Sequence, residues 1–223
     1  MTGSRGERLA AAAGIVFAGL LAAAIALTIS GAPDDTSSRQ EIASFYNAHG
    51  GRLQVAGLLI GFAGFCLLAF VGALRGVLRR SDGERGGLSS TVFGAGLVAV
   101  AMLFVMGAFV AAVGTAADWF DTYRVNADVA RTMEMGTLWL AIYAGIAGGV
   151  MVGASSILAL RTRVLPKWLA LLGFPVALVG LAGIMNWGLG FPVVAAWILL
   201  ASIVLTVRPA PSVQPAEAAP TAA

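Results

Sequence analysis

Residues 53–87 read LQVAGLLIGFAGFCLLAFVGALRGVLRRSDGERGG. The first 22 of them, Leu53 to Leu74, contain no Asp, Glu, Lys or Arg, and the next 13 contain Arg75, Arg79, Arg80 and Arg85 beside Asp82 and Glu84. A helix crosses roughly 30 Å of hydrocarbon with about 20 apolar residues. The first part is therefore long enough to span a bilayer, and the second is a basic turn at its end. The same alternation runs through the chain. Stretches without an acidic or basic residue occupy 9–29, 53–74, 88–117, 135–160, 168–185 and 191–207. They predict an all-α fold, a polytopic transmembrane helical bundle of six spans over residues 9–207, preceded by a short segment 1–8 and followed by a tail at 208–223.

Composition agrees. The chain has 223 residues, 59% hydrophobic and 11% charged, where a soluble domain carries about 25% charged residues. So few charges cannot dilute the apolar surface of a water-soluble protein of this size. The formal net charge of +3 matters less than its distribution. With the N-terminus in the cytoplasm, the inner segments hold ten basic residues: Arg5, Arg8, Arg75, Arg79, Arg80, Arg85, Arg161, Arg163, Lys167 and Arg208. The outer segments hold four: Arg39, Arg52, Arg124 and Arg131. This asymmetry sets both termini inside. The arginines of 74–87 then read as topogenic anchors that touch anionic lipid. A nucleic-acid grip would need a wider basic face with interleaved aromatics, and no nucleic-acid partner is expected. The first span has 21 residues, longer than the 7–15 of a secretory signal core, and is read as a retained helix.

The loops carry start signals. In GAPDDTSSRQEIASFYNAHGG (31–51), Ile42, Phe45 and Tyr46 share one helical face. Ser37 or Ser38 with Glu41 makes a capping box, so a short helix is expected at the outer interface. In DWFDTYRVNADVARTMEMG (118–136), Trp119, Phe120 and Tyr123 suit headgroup depth, and Asn126 or Asp128 caps a fourth helix reaching beyond the membrane. Pro175 lies inside the fifth span, where a kink is expected. The tail RPAPSVQPAEAAPTAA, rich in Pro and Ala, is expected to be a disordered cytoplasmic extension.

Gly145, Gly149 and Gly153 recur every fourth residue one turn after Ala141, and Gly57 and Gly61 repeat the spacing in the second span. Such stripes permit close helix contact, first of all inside the bundle, with a homo-oligomer or another membrane subunit as the alternative. Ser155 and Ser156 follow the stripe and are expected to bond back to their own helix. Asn186 and Trp187 read as interface anchors, and Cys66 as a small apolar residue of a span. His49 is the only histidine, too few for paired haem ligands or a His-rich metal site, and no cofactor or metal is expected. With Arg52, Gln54, Asp118, Asp121 and Glu134 it belongs to a candidate outer polar cluster. No nucleophile elbow, phosphate loop, zinc motif or dinucleotide fingerprint occurs. The spans hold no charge, which argues against an ion pump.

Three stretches, EIASFYNAHGGRLQVAGLL, LRGVLRR and VLPKWLALLGF, resemble a group of bacterial six-span integral membrane proteins of unknown function from high-GC Gram-positive organisms. The resemblance covers residues 10–207. It implies the span count and a multi-pass bacterial plasma-membrane location, and it carries over no functional residue. The functional expectation is a non-enzymatic membrane protein, an accessory or assembly subunit or a binder of lipid-like molecules. The alternatives are a small permease for an uncharged or amphiphilic solute and, third, an outward-facing enzyme using His49 with Asp118 or Glu134.

Overall fold

A computed structural model describes residues 3–34, 36–82, 87–119, 124–183, 185 and 188–207. The expected disordered tail, Arg85, Asp121, Asn186, Trp187, Phe120 and Tyr123 lie outside these residues. The described chain is all helical: α1 Gly3–Ile29, α2 Arg39–Ala48, α3 Gly50–Asp82, α4 Gly87–Trp119, α5 Ala127–Thr162, α6 Lys167–Leu181 and α7 Gly190–Val207. Helices are what such a sequence must form, because hydrocarbon offers no partner to a backbone N–H or C=O and only a helix bonds its own. Five of them, α1, α3, α4, α5 and α7, are long and apolar enough to cross a membrane. This is a multi-pass membrane protein.

One element differs from the sequence expectation. The fifth stretch was expected to reach residue 185, but α6 ends at Leu181 and a turn follows. Its 15 residues rise about 22 Å at 1.5 Å each, short of the hydrocarbon thickness. Pro175 lies within it. As the expected cap at Asn126 implies, α5 reaches beyond its apolar stretch: it starts at Ala127, well before residue 135. Its 36 residues reach about 54 Å, so some 24 Å stands clear of a 30 Å hydrocarbon layer. About half of the excess, some 12 Å, is the segment 127–134 carrying Asp128, Arg131 and Glu134, whose charges belong in water.

Sequential helices pack side by side from α1 through α3 and α4 to α5, and α7 returns between α5 and α1, with α6 against α5 and α7. The main core runs through the middle of this ring, with Phe17, Phe70, Leu74, Leu103, Met151 and Trp197 fully buried or nearly so. Cys66 is half-buried against it.

Missing side chains set how closely the helices approach. On α3, Gly50, Gly57 and Gly64 recur every seven residues; on the antiparallel α4, Gly107 and Gly114 do the same. A Cβ on Gly57 would lie 2.5 Å from the Gly107 carbonyl and from the Ala111 amide nitrogen, and one on Gly107 2.7 Å from the Gly57 carbonyl. One on Gly114 would run into the carbonyl of Gly50. Gly61 has open space where its Cβ would be, and matters only because its amide lies 3.1 Å from a Gly107 Cβ. On α5 the four-residue stripe meets α6 and α7. A Cβ on Gly149 would approach the Ala177 carbonyl to 2.9 Å, one on Gly145 the Phe191 amide nitrogen to 3.0 Å, and one on Gly153 the Ala177 methyl to 3.4 Å. Ala141 is half-buried at the edge of the core. The stripe is thus occupied within one chain.

Helix propensity favours Ala over Gly by about 0.5–1 kcal/mol, whereas forced overpacking costs about 1–3 kcal/mol. Packing wins where the space is closed. Gly57→Ala and Gly107→Ala are expected to lower the thermal unfolding midpoint in detergent, while Gly72→Ala, with nothing within 4 Å of its Cβ, leaves it unchanged or raises it.

Candidate functional site

The two ends of the bundle differ in chemistry. At one end α3 and α5 finish on basic residues. Arg75 lies over the Phe93 ring at 4.4 Å, Arg79 is exposed and Arg80 follows it in α3. Arg161 occupies the last turn of α5, and Arg163 caps that helix in the left-handed conformation, φ 56°. Lys167 opens α6. Cations at helix C-termini meet the negative end of the dipole, so the arginines serve the helices as well as the surface.

The opposite end carries a built cap. Ser38 starts α2: its hydroxyl accepts from the Glu41 amide at 3.3 Å, and the Glu41 carboxylate accepts from the Ser38 amide at 2.7 Å. This is the expected capping box, with Ser38 in the role. Hydrogen bonds from Ser38 hold the exposed Glu41 carboxyl below the usual carboxylate range, as bonds from Thr36 and Ser37 do for Asp34. Asn126 caps α5 through the Val129 amide at 2.8 Å. Beneath α2 lies a second small core of Ile42, Val113, Ala117, Val125, Ala127 and Ala130, flanked by Tyr46 and Met133. It joins α2 to the protruding ends of α4 and α5.

Polar contacts fasten the cap. The Asn47 side chain donates to the Val125 carbonyl at 3.0 Å and accepts from the Val125 amide at 3.1 Å. This amide clamp spans 78 residues of sequence and imitates one rung of a sheet. Arg131 donates to the Glu134 carboxylate at 2.8 Å and to the Asp34 carbonyl. Arg52 donates to the Ser30 carbonyl at 2.7 Å, tying the end of α1 to α3. The exposed Arg39–Asp128 pair, at 3.2 Å, adds at most about 1 kcal/mol.

Between α1, α4 and α5, with α2 above, a cleft of about 340 Å³ opens. Thr28, Ile29, Ala32 and Pro33 form its α1 wall and Phe109, Val110 and Val113 its floor. Ala130, Met133, Glu134 and Thr137 form the α5 wall, and Tyr46 hangs from α2. The hydroxyls of Thr28 and Thr137 donate to the Ala24 and Met133 carbonyls, at 2.8 and 2.9 Å. Burial, then the nearby Glu134 carboxylate, push the Tyr46 phenol up, against a smaller opposing pull from Arg131, so it stays protonated.

Among the described residues of the expected polar cluster, Glu134 alone lines the cleft, and His49 and Arg52 share the Phe45 ring. His49 caps the end of α2, its ring on Phe45 at 4.7 Å and its Nδ1 2.9 Å from the Phe45 carbonyl. Arg52 lies over the same Phe45 ring, 5.2 Å from its centroid. Gln54 is half-buried on α3, and Asp118 is exposed beside Gly51, whose Cβ would be 3.9 Å from its carboxylate. Among the described residues no hydrogen bond joins His49 to Asp118 or Glu134. Nor does any group of three His, Cys, Asp or Glu residues there suit a metal ion. Sequence reasoning passed over Asn47 and Tyr46 as site residues. Tyr46 had its signal in the apolar face of α2; Asn47 had none, because its partner is remote in sequence.

No family model matches the chain, and neither a curated protein nor a solved structure resembles it at a significant level.

Removing Asn47 leaves both polar groups of the buried Val125 unpaired, at about 1–3 kcal/mol. Asn47→Ala is expected to lower the unfolding midpoint and to speed amide hydrogen exchange at 124–130, with exchange in the middle of α3 unchanged.

Proposed function

We propose that the protein is a non-enzymatic, six-span component of a bacterial plasma membrane that holds an amphiphilic, lipid-like molecule in the cleft beneath α2, on the outer face. One observation carries this reading: the cleft has apolar walls, a few polar groups and a volume of about 340 Å³, within the range of small-molecule sites, about 300–1,000 Å³. Its depth in the membrane fits as well. In the α6–α7 turn just below it, Met185 and Leu189 are 87% and 63% exposed, and apolar side chains so bare belong in hydrocarbon. The charged turn of α5 just above belongs in water. The cleft therefore straddles the boundary at which a lipid keeps its head wet and its tail dry. The interior favours a binder over a permease: the buried polar side chains among the described residues are Ser89, Ser155, Ser156 and Ser202, with Ser155 bonded to its own helix through the Met151 carbonyl at 2.7 Å. They line no continuous polar route. An accessory or assembly role, with the cap offered to another membrane subunit, is the second reading, supported by the outer cap standing clear of the bilayer.

Orientation follows from the basic end facing the cytoplasm, with α6 crossing as a short sixth span together with its turn. In a Cys66→Ala background, a cysteine at Ser37 is expected to react with an impermeant maleimide in intact cells, and one at Thr162 only after lysis. The reverse pattern would invert the protein and put the cleft on the inner leaflet.

For the ligand, native mass spectrometry of the protein released from nanodiscs is expected to show a bound amphiphile. Thr137→Trp, which fills the cleft from the α5 wall, should remove that added mass at an unchanged unfolding midpoint. A wild-type chain that flies bare under conditions that keep other lipids bound would refute the reading.

A further inference from the structure

We infer that the cleft selects an amphiphile with an uncharged, hydroxyl-bearing head, of the glycerol or sugar type, over one with an anionic head; this rests on reading the cleft as a lipid site. Four observations converge. Glu134 is the only charged residue among the described residues lining the cleft, so an anion drawn into this half-dry space meets a carboxylate. The nearest cation is already engaged, Arg131 being bonded to Glu134 and to the Asp34 carbonyl. It answers the carboxylate's charge and has little left to hold a phosphate.

Tyr46 lines the cleft and its hydroxyl makes no hydrogen bond to the protein among the described residues, which leaves a donor and an acceptor for a guest. The Thr28 and Thr137 hydroxyls have given their protons to their own helices and can only accept. Three acceptors of hydrogen bonds (a carboxylate and two spent hydroxyls) and one amphoteric phenol ask for a ligand rich in O–H donors. The Val110, Val113, Phe109 and Ile29 side chains offer nothing polar and take the tail.

The test compares a monoacylglycerol with a lysophosphatidic acid of the same acyl chain. Binding is titrated by native mass spectrometry in an amine-oxide detergent, whose head bears no hydroxyl. The wild-type protein is expected to bind the monoacylglycerol at least tenfold more tightly. Glu134→Gln is expected to bring the two affinities within threefold by improving binding of the anionic lipid. Tyr46→Phe is expected to weaken the monoacylglycerol several-fold and leave the lysophosphatidic acid unchanged, and it keeps the test decisive should Glu134→Gln not fold. Equal or tighter binding of the anionic lipid to the wild type overturns the inference and leaves the cleft a lipid site. So does an affinity ratio that neither variant moves. If neither amphiphile binds, the cleft reading itself falls, and the head preference falls with it.

Discussion

Hydrocarbon surrounds most of this chain, and an apolar side chain gains little by leaving lipid tails for a protein interior of the same polarity. What remains to hold helices together is contact: dispersion between surfaces that fit, summed over many atoms. Contact falls off steeply with distance, so the decisive sites are those where nothing protrudes. At Gly57 and Gly107, and again at Gly50 and Gly114, the two backbones approach so nearly that a single methyl group would overlap a carbonyl. The α5–α6 seam uses the same device at another spacing. Even the unbonded hydroxyls follow it. Ser156 and Ser202 have no conventional partner for their buried Oγ atoms, and each fills the space that Gly173 or Gly14 leaves open on the facing helix. A Cα–H is a weak donor to such an oxygen, and the arrangement keeps a polar atom in the core at small cost.

Outside the hydrocarbon the rules revert to those of a soluble protein. The core under α2 is made of small and medium apolar residues, Ile42, Val113, Ala117, Val125 and Ala130 among them, and here burial removes surface from water and is worth about 25 cal/mol per Å². Ten residues of α2 are too few to stand as a helix alone. Its capping box, its apolar face and the Asn47 clamp each supply a part. At the opposite end the main core itself continues, through Leu78, Leu165 and Leu169, with basic residues at the helix ends around it.

How much of this was legible follows from how far each cause reaches along the chain. Helix class, the positions of the long apolar helices and the caps at Ser38 and Asn126 depend on residues within a few positions of each other, and the sequence announced them. The end of α6 was misjudged because Ala182, Gly183 and Met185 are as apolar as a helix interior; hydropathy alone does not mark a turn that sits in lipid. The α3–α4 register escaped notice for another reason. The eye finds Gly57 and Gly61, one turn apart, but the contact surface of two antiparallel helices repeats every seven residues, and only the partner's own heptad at Gly107 and Gly114 reveals it. The polar cluster was assembled from residues at similar depth. Depth fixes one coordinate of three; Glu134 lines the cleft, while His49 and Arg52 meet at the Phe45 ring and Asp118 stands beside Gly51.

The cleft itself is a matter of unequal lengths. Gly190, the first residue of α7, packs at the level of Gly145 on α5 and Gly180 on α6. From Gly145 back to Ala127, α5 rises a further 18 residues, about 27 Å, with neither α6 nor α7 beside it. Over that height the α6–α7 turn reaches α5 at Leu138 and Ile142, and the cleft opens between the end of α1 and α5, with Tyr46 of α2 and Leu53 of α3 in its lining. A bundle of equal helices would close there. This one stays open at the side, at the depth where the α6–α7 turn meets lipid, and the residues lining the gap are apolar apart from Tyr46, Glu134 and two threonines. Its α5 wall carries Ala130 and Thr137, with the larger Met133 beside them and the charge of Glu134 held in place by Arg131.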